Sequence, residues 1–148
     1  MNFSKRSRYG IRALIDLAQN TDCTYMQLND IARRNGISIK YLEQIFAALR
    51  KAGILRSIRG RQGGYLLVKD PGSIKVADII LALDGSYFLE AEECRDGGNG
   101  ESEALAVQTA IIEPINDLME RFLNTMTLKN LVECSENNRK GTQDMYYI

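Results

Sequence analysis

The 148-residue sequence has no histidine. That absence removes histidine-dependent triads, histidine general bases and histidine-ligated metals from the readings of its function. Cysteine is scarce: Cys23, Cys94 and Cys134 are odd in number and far apart. Such a pattern fits neither a disulfide scaffold nor a paired-cysteine zinc site. Long apolar runs are missing too, and nothing approaches the ~18 consecutive apolar residues that a membrane span needs. The segment Met1 to Arg8 is basic like a signal peptide, but Arg12 and Asp16 interrupt the apolar run behind it, so the sequence reads as cytoplasmic. The phosphate-loop pattern Gly-x-x-x-x-Gly-Lys-Ser/Thr is absent, and Gly97-Gly98-Asn99-Gly100 follows no strand and opens no helix. Carboxylates are plentiful but none is paired with an obvious nucleophile. An enzyme is therefore not expected.

What the chain does have is a charge asymmetry hidden beneath a formal net charge of zero. Residues 1–70 hold 13 Lys and Arg against five Asp and Glu, whereas residues 71–148 hold six against 14. One half suits a polyanion and the other suits protein, although two solvated faces of opposite sign would give the same count. The 45% hydrophobic content is enough for a packed core.

Apolar periodicity orders the elements. Ile11, Leu14, Ile15 and Ala18 recur at helical spacing between Tyr9 and Gln19, and Asn20-Thr21-Asp22 breaks the pattern. A second, shorter helix fits Met26 to Arg34, and Asn35-Gly36 supplies the left-handed exit that a tight helix end favours. Ser38 is placed to cap a third helix that buries Leu42, Ile45, Phe46 and Leu49 and stops at Gly53. Ile54 to Ile58 and Tyr65 to Val68 read as two strands around a glycine-rich basic turn, Arg59 to Gly64. Pro71-Gly72 precedes an amphipathic helix from Ile74 to Leu83, and residues 90–103 are polar, acidic and glycine-rich. A long helical stretch follows from Leu105 to Met126, in which Pro114 predicts either a kink or a new start. Thr127 is placed to cap a short last helix through Leu128, Leu131 and Val132.

The expected architecture is mainly α with a small β-hairpin wing: a winged helix-turn-helix plus a long C-terminal dimerisation helix. Its parts are a DNA-binding domain at 1–84, an acidic, Gly-rich, flexible loop at 85–103, and the dimerisation helix and tail at 104–148. The second helix of the helix-turn-helix enters the major groove led by its N-terminal residues. Here those are Ser38, Ile39, Lys40, Tyr41, Glu43 and Gln44. Ser38 and the helix N-terminus offer donors to a phosphate, Lys40 a charge and Tyr41 a hydroxyl. Glu43 is suited to accept from a cytosine amine and Gln44 to pair with adenine. On the wing, Arg59 and Arg61 suit a narrow minor groove, while Gly60, Gly63 and Gly64 let the backbone approach the DNA closely. Lys5, Arg6 and Arg8 add phosphate contacts. Tyr65 either touches DNA or packs beneath the wing, and Cys23 is either a redox-sensitive thiol or incidental. The rival reading is a protein-interaction module that uses the long helix alone, which leaves the basic wing unexplained.

Three stretches carry a resemblance: Ser7-Arg8-Tyr9-Gly10, Ile37 to Ile45, and Ser57 to Tyr65. They closely resemble the Rrf2 family of winged-helix regulators, and the likeness continues through Leu123 to Leu128. The resemblance implies a symmetric dimer, with Ile111, Ile115, Leu118, Met119, Phe122, Leu123 and Met126 on the dimerisation helix, and a pseudo-palindromic operator. Many members of the family hold a [2Fe–2S] cluster on three cysteines and a fourth ligand. Anchored on Leu123 to Leu128, those positions fall on Cys94, Gly100, Ala106 and a residue near Thr109. Only Cys94 is a cysteine, and a cluster needs about four protein ligands, so neither a cluster nor any other metal cofactor is expected. Cys134 or a partner subunit would have to supply the difference. The departure points to the family's cysteine-metabolism repressors, whose ends the residues Asp144 to Ile148 resemble. That branch acts with cysteine synthase, and the tail Tyr146, Tyr147 and Ile148 is the segment expected to meet it, by capture of the terminal carboxylate. The same family also holds iron–sulfur and redox-responsive regulators, which is the alternative.

Overall fold

The structure, a computed structural model, describes residues 3–20, 25–93 and 100–146. Its N-terminal elements are α1 (Lys5–Asn20), α2 (Leu28–Asn35), α3 (Ile39–Lys51), β1 (Leu55–Ile58), β2 (Gly64–Leu67) and α4 (Val76–Asp84). This is the winged helix-turn-helix that the periodicity predicts. α1 starts four residues before the expected Tyr9 because Ser4 caps it, its hydroxyl oxygen accepting the Ser7 N–H at 3.1 Å. Ser4 in turn donates to the Asp84 carboxylate, which ties the start of α1 to the end of α4. At Gly36 the chain leaves α2 at φ 64°, and Ser38 caps α3 by accepting the Tyr41 N–H at 3.2 Å. Both turns follow the sequence reading.

The core lies where α1, α3 and α4 cross. Leu14, Leu17, Ile31, Leu42, Ile45, Phe46, Leu49 and Ile79 are all fully buried, each stabilising the fold by about 1.5–3 kcal/mol. Gly10 allows a close approach at this crossing: a Cβ there would meet the Leu83 side chain, which would have to shift. β1 and β2 pair antiparallel with Leu55 opposite Leu67 and Ile58 opposite Gly64. Met26 adds a third segment on the free edge of β2, giving and taking hydrogen bonds with Tyr65 at 3.0 and 2.8 Å.

The second half departs from expectation in two places. The long helical stretch starts at Glu101, inside the segment read as a loop, while Pro114 stands in the first turn of a new helical segment, one of the two outcomes expected of it. α5 (Glu101–Val107) passes through a π-helical turn, Gln108–Ile112, into α6 (Glu113–Thr125). The Glu113 N–H reaches back five residues to the Gln108 carbonyl, and this widened turn accommodates the donor that proline lacks. The last helix is also long rather than short: α7 runs 19 residues, Leu128–Tyr146. Thr127 caps it as expected, in a reciprocal box with Asn130. Its polar second turn onward carries no apolar period, and it lies on α1 partly through Gln19, which donates to Ser135 and accepts from Arg139.

The junction between α6 and α7 is welded to the winged helix-turn-helix. Val76 donates to the Met126 carbonyl and Leu128 to the Ile74 carbonyl, both at 2.9 Å. Leu128 itself is fully buried in the common core. No helix among the described residues is long and apolar enough to cross a membrane.

Candidate nucleic-acid interface

α3 turns its core residues inward and leaves Lys40, Glu43 and Gln44 exposed, with Ile39 46% exposed at its first turn. Tyr41 is half-buried, its ring edge-on to Tyr9 of α1 at 6.0 Å. Ser38, also exposed, spends its hydroxyl oxygen on the cap. The wing stands beside this face. Arg59, Gly60, Arg61 and Gln62 are exposed at its tip, closed by the Gly63 N–H on the Gly60 carbonyl at 3.1 Å.

The glycines of the wing have internal reasons to be glycine. Gly60 sits at φ 125°, in the region that other residues rarely adopt. A Cβ on Gly63 would collide with the Ile58 carbonyl, and one on Gly64 with the Met26 carbonyl. Tyr65 packs beneath the wing, half-buried with its ring edge-on to Phe46 at 4.9 Å.

A groove of about 670 Å³ joins the two surfaces. It is lined by Gln27, Leu28 and Asn29 at the start of α2, by Glu43 of α3, and by the wing including Arg59, Arg61 and Tyr65. The structure therefore brings Glu43 together with both wing arginines. It does not bring Arg8 there. The Arg8 Nε donates to the Phe3 carbonyl at 3.1 Å, and its guanidinium lies 5.3 Å from the Phe3 ring centre, at a different groove. Arg6 is half-buried, its Nε unpartnered among the described residues, and Lys5 is exposed on the first turn of α1.

The groove that Arg8 borders is apolar, about 600 Å³, and runs between α1, α4 and α6. Phe122, Met119, Leu123 and Met126 form one wall, and Ile11, Val76 and Ile80 another. Along the outside of the long helix, Ile111, Ile115, Leu118 and Phe122 are exposed, the last two at 60%. Met119, Leu123 and Met126 are half-buried against the core of their own chain.

Sequence reasoning missed several groups. Gln27, placed inside the second helix by periodicity, instead precedes α2 and donates from Nε2 to the Arg61 carbonyl at 3.2 Å. Asp16, noticed only as an interruption of an apolar run, is buried and accepts from Arg34, Asn20 and Asn35. The signal was there: a carboxylate on the core stripe of a helix needs a partner. The hydrogen bond from Arg34 to Asp16, with the charge of Asp16 and Asp30, holds the guanidinium pKa above its ordinary value. Arg12 donates to the Asn35 carbonyl at 2.9 Å and lies over the Tyr9 ring. Cys134 is exposed on α7. Cys23, Cys94, Tyr147 and Ile148 lie outside the described residues, and of Tyr146 the structure describes only the helical backbone.

Comparison with known proteins places this geometry. The Rrf2 family profile, described as "Iron-dependent Transcriptional regulator", matches residues 3–134. The HTH-type transcriptional regulator IscR of Citrobacter koseri is 38% identical over 148 residues, covering 97% of this chain and 90% of the relative. IscR of Salmonella paratyphi B is 38% identical with 97% and 89% covered. Among solved structures, CymR (YrzC), the global cysteine regulator of B. subtilis, superposes with a TM-score of 0.72 at 32% identity, covering 90% of this chain and 97% of that one. T. potens IscR gives 0.72 at 36% identity, covering 93% and 90%. These relatives are named as regulators, not enzymes.

The word "iron-dependent" sets a test for the donor chemistry. Of the positions that the resemblance assigns to cluster ligands, Gly100 and Ala106 have no donor atom, and the Thr109 hydroxyl donates to the Leu105 carbonyl at 2.8 Å. Those three positions supply no thiolate or imidazole to a cluster of that kind.

Proposed function

This chain belongs to the Rrf2 family of transcriptional regulators, and from that premise we propose that it is a homodimeric repressor of cysteine and sulfur genes that binds a pseudo-palindromic operator without a cluster. The observation that carries the DNA mechanism is the shared groove, where Glu43 of the recognition helix and Arg59 and Arg61 of the wing line one concave surface. In this reading α3 lies in the major groove, Glu43 and Gln44 read base edges, and the wing arginines enter the adjacent minor groove. Lys5, Lys40 and the Ser38 hydroxyl hold phosphates. Arg6 and Arg8 are weaker members of the set, since one is half-buried and the other is engaged with Phe3.

The homodimer is supported by the exposed stripe Ile111, Ile115, Leu118 and Phe122 on the long helix, next to an apolar groove. An apolar row of that kind calls for a cover, and a two-fold mate supplies the same row in return. The tripartite division at 84 and 104 is kept as a functional one, reading against dimerising, with Leu128 crossing it to couple the halves. The cysteine regulon is supported by the likeness to the global cysteine regulator and by a donor set that does not fit a cluster. Within this reading cysteine synthase is the partner expected at the tail, supported by the sequence resemblance alone. The second reading, an iron-responsive regulator, is favoured by the IscR relatives.

Selection of genomic DNA fragments by the purified protein, prepared free of any cluster, separates the two. A palindrome upstream of sulfur-uptake and cysteine genes is the expected result; enrichment upstream of iron–sulfur assembly genes establishes the second reading. Recovery of no fragment at low salt overturns both. On the selected operator, Arg59→Ala is expected to weaken binding by about 1–3 kcal/mol and, where a phosphate contact is lost, to reduce the salt slope by about 1. Unchanged affinity of that variant would remove the wing from the interface.

A further inference from the structure

We propose that Gln27 is a positioning residue that latches the arginine-bearing wing tip to the start of α2, a role that rests on the DNA-binding reading above. Gln27 occupies the N-cap position of α2, with extended backbone at φ −74° and ψ 138°. Serine, threonine, aspartate or asparagine is favoured there, because a short side chain accepts one of the orphan N–H groups and stabilises the helix. The Gln27 side chain makes no such bond. It reaches instead to the Arg61 carbonyl, 34 residues along the chain, and donates to it at 3.2 Å. A position that gives up its local preference marks a competing demand.

The surroundings show what the demand is. Met26 runs along β2 through its two bonds to Tyr65, and Gly64 lacks the Cβ that would strike the Met26 carbonyl. That close approach carries Gln27 past the sheet edge to the loop between the strands. The loop holds Arg59 and Arg61, both exposed, and Gly60 in a backbone region of high freedom. Fixing one carbonyl of the loop from outside restricts how the two arginines are aimed before DNA arrives, and so reduces the ordering cost of binding. Gln27 and Asn29 also line the same groove as Glu43, so the latch sets the spacing between wing and recognition helix.

Gln27→Ser is the discriminating variant, because serine restores the cap while cutting the latch. The probe is the tightest-binding duplex that the wild-type protein recovers from a random-sequence pool. Gln27→Ser is expected to bind it about fivefold more weakly, with a thermal midpoint equal to or above that of the wild type. In the Arg59→Ala, Arg61→Ala background the same change is expected to cost less than about twofold, because the latch then has nothing to aim. Binding within twofold of wild type overturns the proposal, and so does an equal loss in both backgrounds. A midpoint that falls together with affinity also overturns it, since a structural role alone gives that result. A wild-type protein that recovers no duplex overturns the DNA-binding reading and the latch with it.

Discussion

Leu118→Glu is expected to convert the proposed dimer to a monomer and to lower operator affinity by about 100-fold or more. Leu118 is 60% exposed in the single chain, so a carboxylate there meets water and leaves the fold intact, within about 0.5 kcal/mol. In the dimer the situation reverses. A two-fold interface uses each residue twice, so one substitution buries two carboxylates. Each loses hydration without a cationic partner, at a cost of several kcal/mol. The operator loss follows from linkage. One wing domain on one half-site is a weak binder, and joining two adds about 10²–10⁴ in affinity with no new contact. Equilibrium sedimentation and operator binding measured on the same preparation check both steps. Persistence of the dimer would take the Ile111-to-Phe122 stripe out of the interface. A monomer with undiminished affinity would remove the palindromic reading of the operator.

The order of elements in the first 84 residues was legible because short-range physics decides it. Gly36 and Ser38 end and start helices through their own backbone preferences and hydrogen bonds, and both behave so in the fold. Leu42, Ile45, Phe46 and Leu49 repeat at the helical period and are all buried. The misreadings come from longer range. The start of α1 depends on Ser4, whose value is visible only once Asp84 stands beside it. The long helical stretch starts at Glu101 and includes a π-helical turn before Pro114, neither of which any residue type announces. α7 extends to Tyr146 along residues with little apolar period, held partly by polar bonds to Gln19. In the candidate site, the reading of Glu43 and the wing arginines needed only the motif, but their common groove needed the fold. The wing glycines were read as making room for DNA. Gly63 and Gly64 make room for carbonyls of the protein itself, a contact that spacing alone does not reveal.

Asp16→Ala is expected to destabilise the fold by about 3 kcal/mol, a figure for breaking a buried, hydrogen-bonded ion pair, and to lower the thermal midpoint by roughly 6–12 °C. Asp16 is 9% exposed. Its carboxylate accepts from the Arg34 Nη2 at 2.9 Å and from the amides of Asn20 and Asn35, each at 2.7 Å. It therefore gathers the end of α1, the end of α2 and the turn into α3 at one point. Arg34 is 39% exposed on its side chain, so after Asp16 is removed the guanidinium can rehydrate, which holds the loss at the low end for a buried pair. The raised pKa of Arg34 contributes stability that is complete below the unfolded value and lost only as pH climbs through the folded one. That range lies above any pH at which the chain would be handled, so mutation rather than titration is the probe. Arg34→Ala alone leaves a nearly buried carboxylate with only neutral donors, and the double variant is expected to cost less than the two single losses added together, by about 1–2 kcal/mol. Denaturant unfolding of the four proteins measures that coupling. A coupling near zero would mean that the asparagine amides, not Arg34, hold Asp16. Asp16→Asn refines the point: it preserves shape and part of the hydrogen bonding, so it should recover part of the lost stability. Because the network anchors the turn that aims α3, Asp16→Ala should also weaken operator binding at temperatures where the chain is still folded. Unaltered binding there would show that α3 keeps its aim without the carboxylate.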